Sequence, residues 1–253
     1  MKLKPAELKE FLNEKYALYN TPLFIESDPI FVPHQFTIKE DIEIAAFFVA
    51  ILAWGQRPTI IRNGMRLMEW MDHAPFEYIR SSNKKDWKTF SKFAHRTFNG
   101  VDAIYFIKSL QHIYNNMGGM EKVFQHSNDM QQGLVKFRKI FLGEYPAGRT
   151  AKHIADVTRN SSGKRLNMFL RWMVRNDKRG VDFGIWKTIS PALLYCPIDL
   201  HSGRVARKLG LLKREQDDWK AVDELTQNLR KLDPKDPIKY DFALYGLGVF
   251  EKF

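Results

Sequence analysis

Residues 37–57, TIKEDIEIAAFFVAILAWGQR, decide the fold class. Thr37 is a cap-type residue, and the acids Glu40, Asp41 and Glu43 follow where a helix first turn favours negative charge. From Ile44 to Trp54 the chain is apolar without interruption. A helix apolar around most of its circumference is buried inside a larger core. The same run is about half of what a membrane-spanning helix needs, so it predicts a core and no membrane contact.

Outward from this segment, helical periodicity dominates and alternating strand patterns are scarce. Upstream, 5–19 reads as an amphipathic helix with Leu8, Phe11, Leu12 and Tyr16 on one face. The stretch 21–36, rich in Pro, Asp and His, reads as a loop. Downstream, helices are expected over 57–73, 103–115, 120–125 and 128–141, with breaks at Asn99-Gly100, Gly118-Gly119 and 144–148. Residues 81–88 are polar and basic and suit a surface loop or a helix start. The last third predicts helices over 164–175, from Leu200 through Arg207, over 219–232 and over 238–247, with turns at 176–180 and 233–237. The pattern is that of an all-α protein with two helical lobes built from interleaved segments, about 37–145 and 1–36 with 146–253.

The chain has 253 residues, 44% hydrophobic, enough material for a sizeable core. Lys and Arg number 40 against 29 Asp and Glu, a formal net charge of +11. An excess of that size favours an anionic partner, nucleic acid above all, although solubility alone also benefits from it. Residues 1–15 alternate charges with isolated Leu and Phe, which does not make a secretory signal. One cysteine, Cys196, rules out an intrachain disulfide and an all-cysteine metal cluster. The chain reads as a cytoplasmic, nucleoid-associated monomer without metal or cofactor.

Two segments can carry chemistry. In the helix starting at Lys164, Leu166, Phe169, Leu170 and Met173 form an apolar stripe. At roughly 100° per residue, Lys164, Arg171 and Arg175 fall on the other side. That side is either a solvated basic face or, behind the small polar run 159–163, a phosphate-binding helix start. The second segment, Pro197-Ile198-Asp199-Leu200-His201-Ser202-Gly203-Arg204, puts Asp199 where the chain enters a helix. Its ordinary role is an N-cap, and a helix start also keeps a carboxylate ionised. Asp177 and Asp182 read as turn residues and Asp236 and Asp241 as caps of the final helix, while His95 and Arg96, set between aromatics, suit either a nucleic-acid contact or, the favoured reading, a buried hydrogen-bonded pair. His153 and His201 are not spaced as a metal pair.

IDLHSGRVARKLGL (198–211) resembles the VDTH…R segment of the helix-hairpin-helix DNA glycosylase superfamily, which includes endonuclease III and the oxoguanine glycosylases; in that segment an aspartate is essential. FFVAILAWGQRPTIIRNGMRLME (47–69) is similar to the superfamily's early helix pair, whose turn carries a Gln near the lesion, here Gln56. SSGKRLNMFLRW (161–172) resembles the hairpin and following helix that bear the nucleophilic lysine, here Lys164. YDFALYGLGVF (240–250) is like the closing helix. The whole is most similar to a bacterial branch near the archaeal 8-oxoguanine DNA glycosylases. Only Gly163 stands where the family has an apolar-Pro-Gly-x-Gly hairpin, 179–195 is longer than in endonuclease III, and the iron–sulfur cysteines are missing.

The resemblance implies a two-lobed, glycosylase-like helical fold with a degenerate hairpin. It also implies base-excision repair of an oxidised purine such as 8-oxoguanine in double-stranded DNA containing a damaged base. Lys164 would attack C1′ and give AP-lyase activity through a Schiff base, while Asp199 would stabilise the developing oxocarbenium. An ordinary lysine is protonated at neutral pH; desolvation or the cations Arg165, Arg171 and Arg175 would favour its neutral form. If Lys164 is not the nucleophile, Asp199 activates water. A damaged base must leave the stack to be cleaved, and Trp54, Gln56, Arg57, Arg165, Trp172, His201 and Arg204 are the expected DNA- and base-binding residues, with Trp186 as a further pocket aromatic. The competing readings are a non-catalytic DNA- or RNA-binding protein on the same scaffold and a helical adaptor for a protein partner.

Overall fold

The computed structural model describes residues 3–143, 145 and 147–253. It is all-α: among the described residues the only strands are Ala94–His95 and Phe98–Asn99, which pair as a minimal antiparallel hairpin. The break expected at 144–148 falls partly on Glu144 and Pro146, outside the described residues. Among the described residues, no helix is long and apolar enough to cross a membrane.

The chain divides into two compact units, Ile25–Ala155 and Met1–Phe24 with Asp156–Phe253. These limits differ from 37 and 145 because the flanking segments are claimed by helices of the first unit. Short 3-10 turns at Pro29–Phe31 and Pro33–Gln35 pack on α3 (Lys39–Leu52), and Gly148–His153 packs on α6 (Gly100–Asn116). The stretch 21–36 is thus not a plain loop. It holds α2 (Leu23–Ser27) and these two turns, each begun by a proline whose fixed φ suits a helical start.

Unit Ile25–Ala155 is organised around α3, in which every residue from Asp41 to Leu52 is buried. Phe47 stacks on Phe106 of α6 at 5.6 Å and meets Phe137 and Phe141 of α8 (Met130–Gly143) at 5.5 and 5.4 Å. The acids near the start of α3 do more than favour the helix dipole. Asp41 accepts from the Phe76 N–H (2.8 Å) at the start of α5 (Pro75–Ser81), and buried Glu43 accepts from the Tyr114 hydroxyl (2.6 Å). Each acid therefore ties α3 to a neighbouring helix. The helix α4 (Arg57–Glu69) packs beside α3, and α7 (Met120–Phe124) beside α8.

The other unit joins both ends of the chain. Helix α12 (Tyr240–Val249) lies between α1 (Pro5–Tyr19) and α10 (Leu200–Lys208), with α9 (Lys164–Val174) and α11 (Trp219–Leu232) completing it. Gly246 lets the Tyr19 ring rest on the α12 backbone; a Cβ there would lie 2.1 Å from a ring carbon. The apolar stripe of α9 is buried as its spacing predicts. Its other side is not a solvated basic face. Arg171 and Arg175 are 5% and 1% exposed, paired with four carboxylates. Arg171 meets Asp182 (3.2 Å) and Asp241, and Arg175 meets Asp177 (2.6 Å), Asp182 (2.7 Å) and Asp236 (2.9 Å). The aspartates read as turn and cap residues are therefore partners of buried guanidinium groups, since an unpaired charge at that depth would be prohibitive. Segment 181–186 wraps the C-terminal end of α9, where the Phe183 and Gly184 N–H groups bond the Trp172 carbonyl (2.9 and 3.2 Å) and Trp186 N–H bonds that of Met173 (2.9 Å).

Candidate active site

Lys164 is the first residue of α9, and the turn before it is set by two left-handed residues, Asn160 (φ 64°) and Gly163 (φ 62°). Asparagine and glycine are the residues that take this conformation at least cost. The turn is fastened on both sides. The Asn160 carbonyl accepts from Trp219 N–H (3.2 Å), its amide donates to Asp218 (2.7 Å), and buried Asn167 donates to the Ser162 carbonyl (3.2 Å). The turn before Lys164 is thus clamped between α9 and the start of α11.

Asp199 is the N-cap of α10, and its two oxygens divide the work. Oδ1 accepts from the N–H groups of His201 and Ser202 (both 2.9 Å), while Ser202 Oγ accepts in return from the Asp199 N–H (2.9 Å). Oδ2 faces Lys164 Nζ at 3.0 Å. The side chains are 35% and 19% exposed, so the pair is reachable from solvent. Burial pushes the Asp199 carboxyl up. The Lys164 ammonium and the two helix N–H groups more than offset this, and the net shift is below the ordinary carboxylate value. Asp199 is therefore ionised at neutral pH, and the starts of α9 and α10 meet at one lysine–carboxylate pair.

The remaining expected residues scatter. His201 is exposed; its backbone supports Asp199, and its Cβ lies against Gly248. Arg204 donates through Nη2 to the Gly248 carbonyl (3.1 Å), in the last turn of α12 where a cation is favoured. Arg165 is half-buried, and burial lowers its guanidinium pKa. Trp172 is fully buried and Trp186 is 1% exposed, stacked edge-on against Phe169 at 5.4 Å. Both belong to the core and cannot receive a base, because the 181–186 wrap leaves α9 no open aromatic face. Arg171 and Arg175 are committed to their aspartates. Trp54, Gln56 and Arg57 lie together on the α3–α4 turn of unit Ile25–Ala155; Trp54 is half-buried and Gln56 exposed. Sequence reasoning missed Ser202, Asn160 and Asn167. The Asp-x-x-Ser spacing signals the first, Asn160 depends on Asp218 and Trp219 far along the chain, and Asn167 reaches back only to the Ser162 carbonyl, a contact no spacing rule marks.

His153 lies 3.3 Å from Asp102 in unit Ile25–Ala155. Among the described residues, no group of three His, Cys, Asp or Glu side chains is arranged to hold a metal ion.

These features define an all-helical protein with a solvent-reachable lysine–carboxylate pair at two helix starts. The chain belongs to the DUF2400 family, a protein family of unknown function, whose model matches residues 28–250 and so covers the Lys164–Asp199 pair. No curated protein and no solved structure matches it.

Proposed function

We propose that this protein is a DNA N-glycosylase of base-excision repair, acting on an oxidised purine such as 8-oxoguanine, with AP-lyase activity through Lys164. The observation that carries the reading is the 3.0 Å contact between Lys164 Nζ and Asp199 Oδ2. It joins the two residues that the sequence resemblance singles out, which stand 35 positions apart (199 − 164). The clamped turn before Lys164 and the net positive charge are consistent with a DNA partner.

In this reading Lys164 gives up a proton to Asp199 or water, and its Nζ forms the bond to C1′. The glycosidic C1′–N bond breaks, its electron pair leaves with the base, and the base takes up a proton. Loss of a second amine proton, with the C1′–O4′ electron pair and a proton going to O4′, opens the sugar and leaves a protonated Schiff base. An ionised Asp199 stabilises the oxocarbenium character that develops on the sugar. Because Lys164 is already engaged by that carboxylate, a second route has Asp199 activate water while Lys164 only holds it in place.

Borohydride trapping on a duplex with one 8-oxoguanine separates these routes. A covalent adduct formed by the wild type and lost in Lys164→Gln identifies the lysine as nucleophile. Base release that persists in Lys164→Gln but not in Asp199→Asn identifies water. Absence of both adduct and base release across a panel of damaged bases overturns the enzymatic reading.

A further inference from the structure

Unit Ile25–Ala155 carries an arginine whose position the fold does not explain. The hairpin of Ala94–His95 and Phe98–Asn99 turns through Arg96 and Thr97, and Arg96 sits at φ 54°. Two-residue hairpins need left-handed residues, which asparagine and glycine supply with least strain. An arginine there is a local misfit, and such misfits concentrate where a side chain has work to do.

The surroundings of Arg96 are fixed. Buried His95 spans two elements, with Nδ1 2.9 Å from the Asn63 amide on α4 and Nε2 3.3 Å from the Trp54 carbonyl in the α3–α4 turn. Arg149 braces the hairpin from another side, donating to the Thr97 carbonyl (2.8 Å) and the Asn99 side chain (2.7 Å). The Arg96 guanidinium lies 4.9 Å from the centre of the Trp54 ring. It crosses Gly55, where a Cβ would stand 3.2 Å from Nη1, and Gly55 itself has φ 113°. Arg96 is exposed and makes no hydrogen bond or ion pair among the described residues. The neighbouring Gln56 is exposed, and its side chain does not cap α4.

A guanidinium with one face covered by an indole keeps its N–H edge open, and that edge matches an anionic oxygen. The stacking holds the plane still, so less freedom is lost when an anion binds. We infer that Arg96, stacked on Trp54, is a DNA-backbone contact whose guanidinium edge binds a phosphate beside the Gln56 turn. The inference rests on the DNA-repair reading above and adds a residue that the sequence resemblance does not mark. It also gives the Arg96 misfit a purpose, since the left-handed turn lays the side chain back over Trp54 and away from the hairpin strands.

The test is a fluorescence-anisotropy titration of the full chain with a labelled duplex carrying a tetrahydrofuran abasic analogue, repeated over a series of KCl concentrations. Arg96→Gly suits the left-handed position and removes the cation. It is expected to weaken binding and to reduce the slope of log K against log salt by about 0.9, the loss of one phosphate contact. Arg96→Lys, which keeps the charge, is expected to restore most of that slope. Should Arg96→Gly lose its cooperative melt, Arg96→Asn also suits the conformation and is read the same way. Wild-type slope in a folded variant lacking the cation overturns the inference and leaves the repair reading standing. A wild type that shows no salt-dependent binding to any duplex overturns both.

Discussion

Helix α9 carries cations at both ends, and the two ends hold them in opposite ways. At its start, Lys164 meets one carboxylate, that of Asp199, and both side chains reach solvent. At its end, Arg171 and Arg175 are sealed among Asp177, Asp182, Asp236 and Asp241. Acid outnumbers base four to two in the sealed cluster. Burial there pushes the Asp241 carboxyl up to about 6, Arg171 opposes the rise, and the charge of Asp199 adds to it. The contrast teaches that charge type does not set a residue's role on this helix. What matters is how many opposite charges the rest of the chain brings to it, and whether water can reach the pair.

The sharpest test of the contrast is Arg175→Met, which keeps much of the volume and removes the cation shared by three aspartates. Breaking a buried pair from one side typically costs about 3–5 kcal/mol, and urea unfolding of the variant should show a loss of that size. A loss below about 1 kcal/mol would mean that the cluster is far wetter than its burial indicates.

The next effect is a pH dependence. Asp241 has a folded pKa raised above its unfolded value of about 3.9. Between about pH 4 and 6 the folded chain holds a proton that the unfolded chain has released. Stability from this group is thus full near pH 4 and is lost as pH rises through 6, by on the order of 2–3 kcal/mol. Asp177 acts in the other sense. Burial raises its pKa, but its bonds from Tyr16 and Arg175 hold it at about 2, and its contribution is lost only as pH falls below about 4. Unfolding free energies of wild type and Asp241→Asn, measured from pH 4 to 7, should differ by an amount that changes across this window. A constant difference removes Asp241 as the titrating group.

At the open end the effects on stability are the smallest. Lys164→Gln is expected to change stability by less than about 1 kcal/mol, as for other solvent-exposed pairs. Asp199→Ala is expected to cost about 1 kcal/mol through loss of the α10 cap. Thermal melts check both. A collapse of the fold in Lys164→Gln would place the lysine with the sealed cluster and not with an open site.

The parts of this architecture legible in the sequence are those written in local spacing. The burial of α3, the apolar stripe of α9 and the cap at Asp199 each follow from residues within a few turns of one another. The fate of Arg171 and Arg175 does not, because Asp236 and Asp241 come from far along the chain, and a helical projection sees only that the arginines lie off the apolar stripe. The burial of Trp172 is illegible for the same reason, since nothing within α9 shows that 181–186 will wrap it. The 94–99 hairpin has two residues in each strand, too few for an alternating pattern to register. Helix α5, with a proline start and one apolar turn, leaves little periodic signal in the sequence. Of the candidate site, the two partners were legible from resemblance, whereas the division of the Asp199 oxygens between capping and Lys164 required coordinates.

The seating of Tyr19 on Gly246 has a consequence for the order in which the chain acquires structure during synthesis. The unit that holds Lys164 and Asp199 needs both α1 and α12, which stand on either side of the whole of unit Ile25–Ala155 in the sequence. Contacts that far apart in sequence close late. Unit Ile25–Ala155 has all its own residues in one continuous stretch, and domains emerging first from the ribosome fold first. During translation, then, the Trp54–Arg96 surface is in place before α12 can pack against α1 and close the unit that holds the Lys164–Asp199 pair.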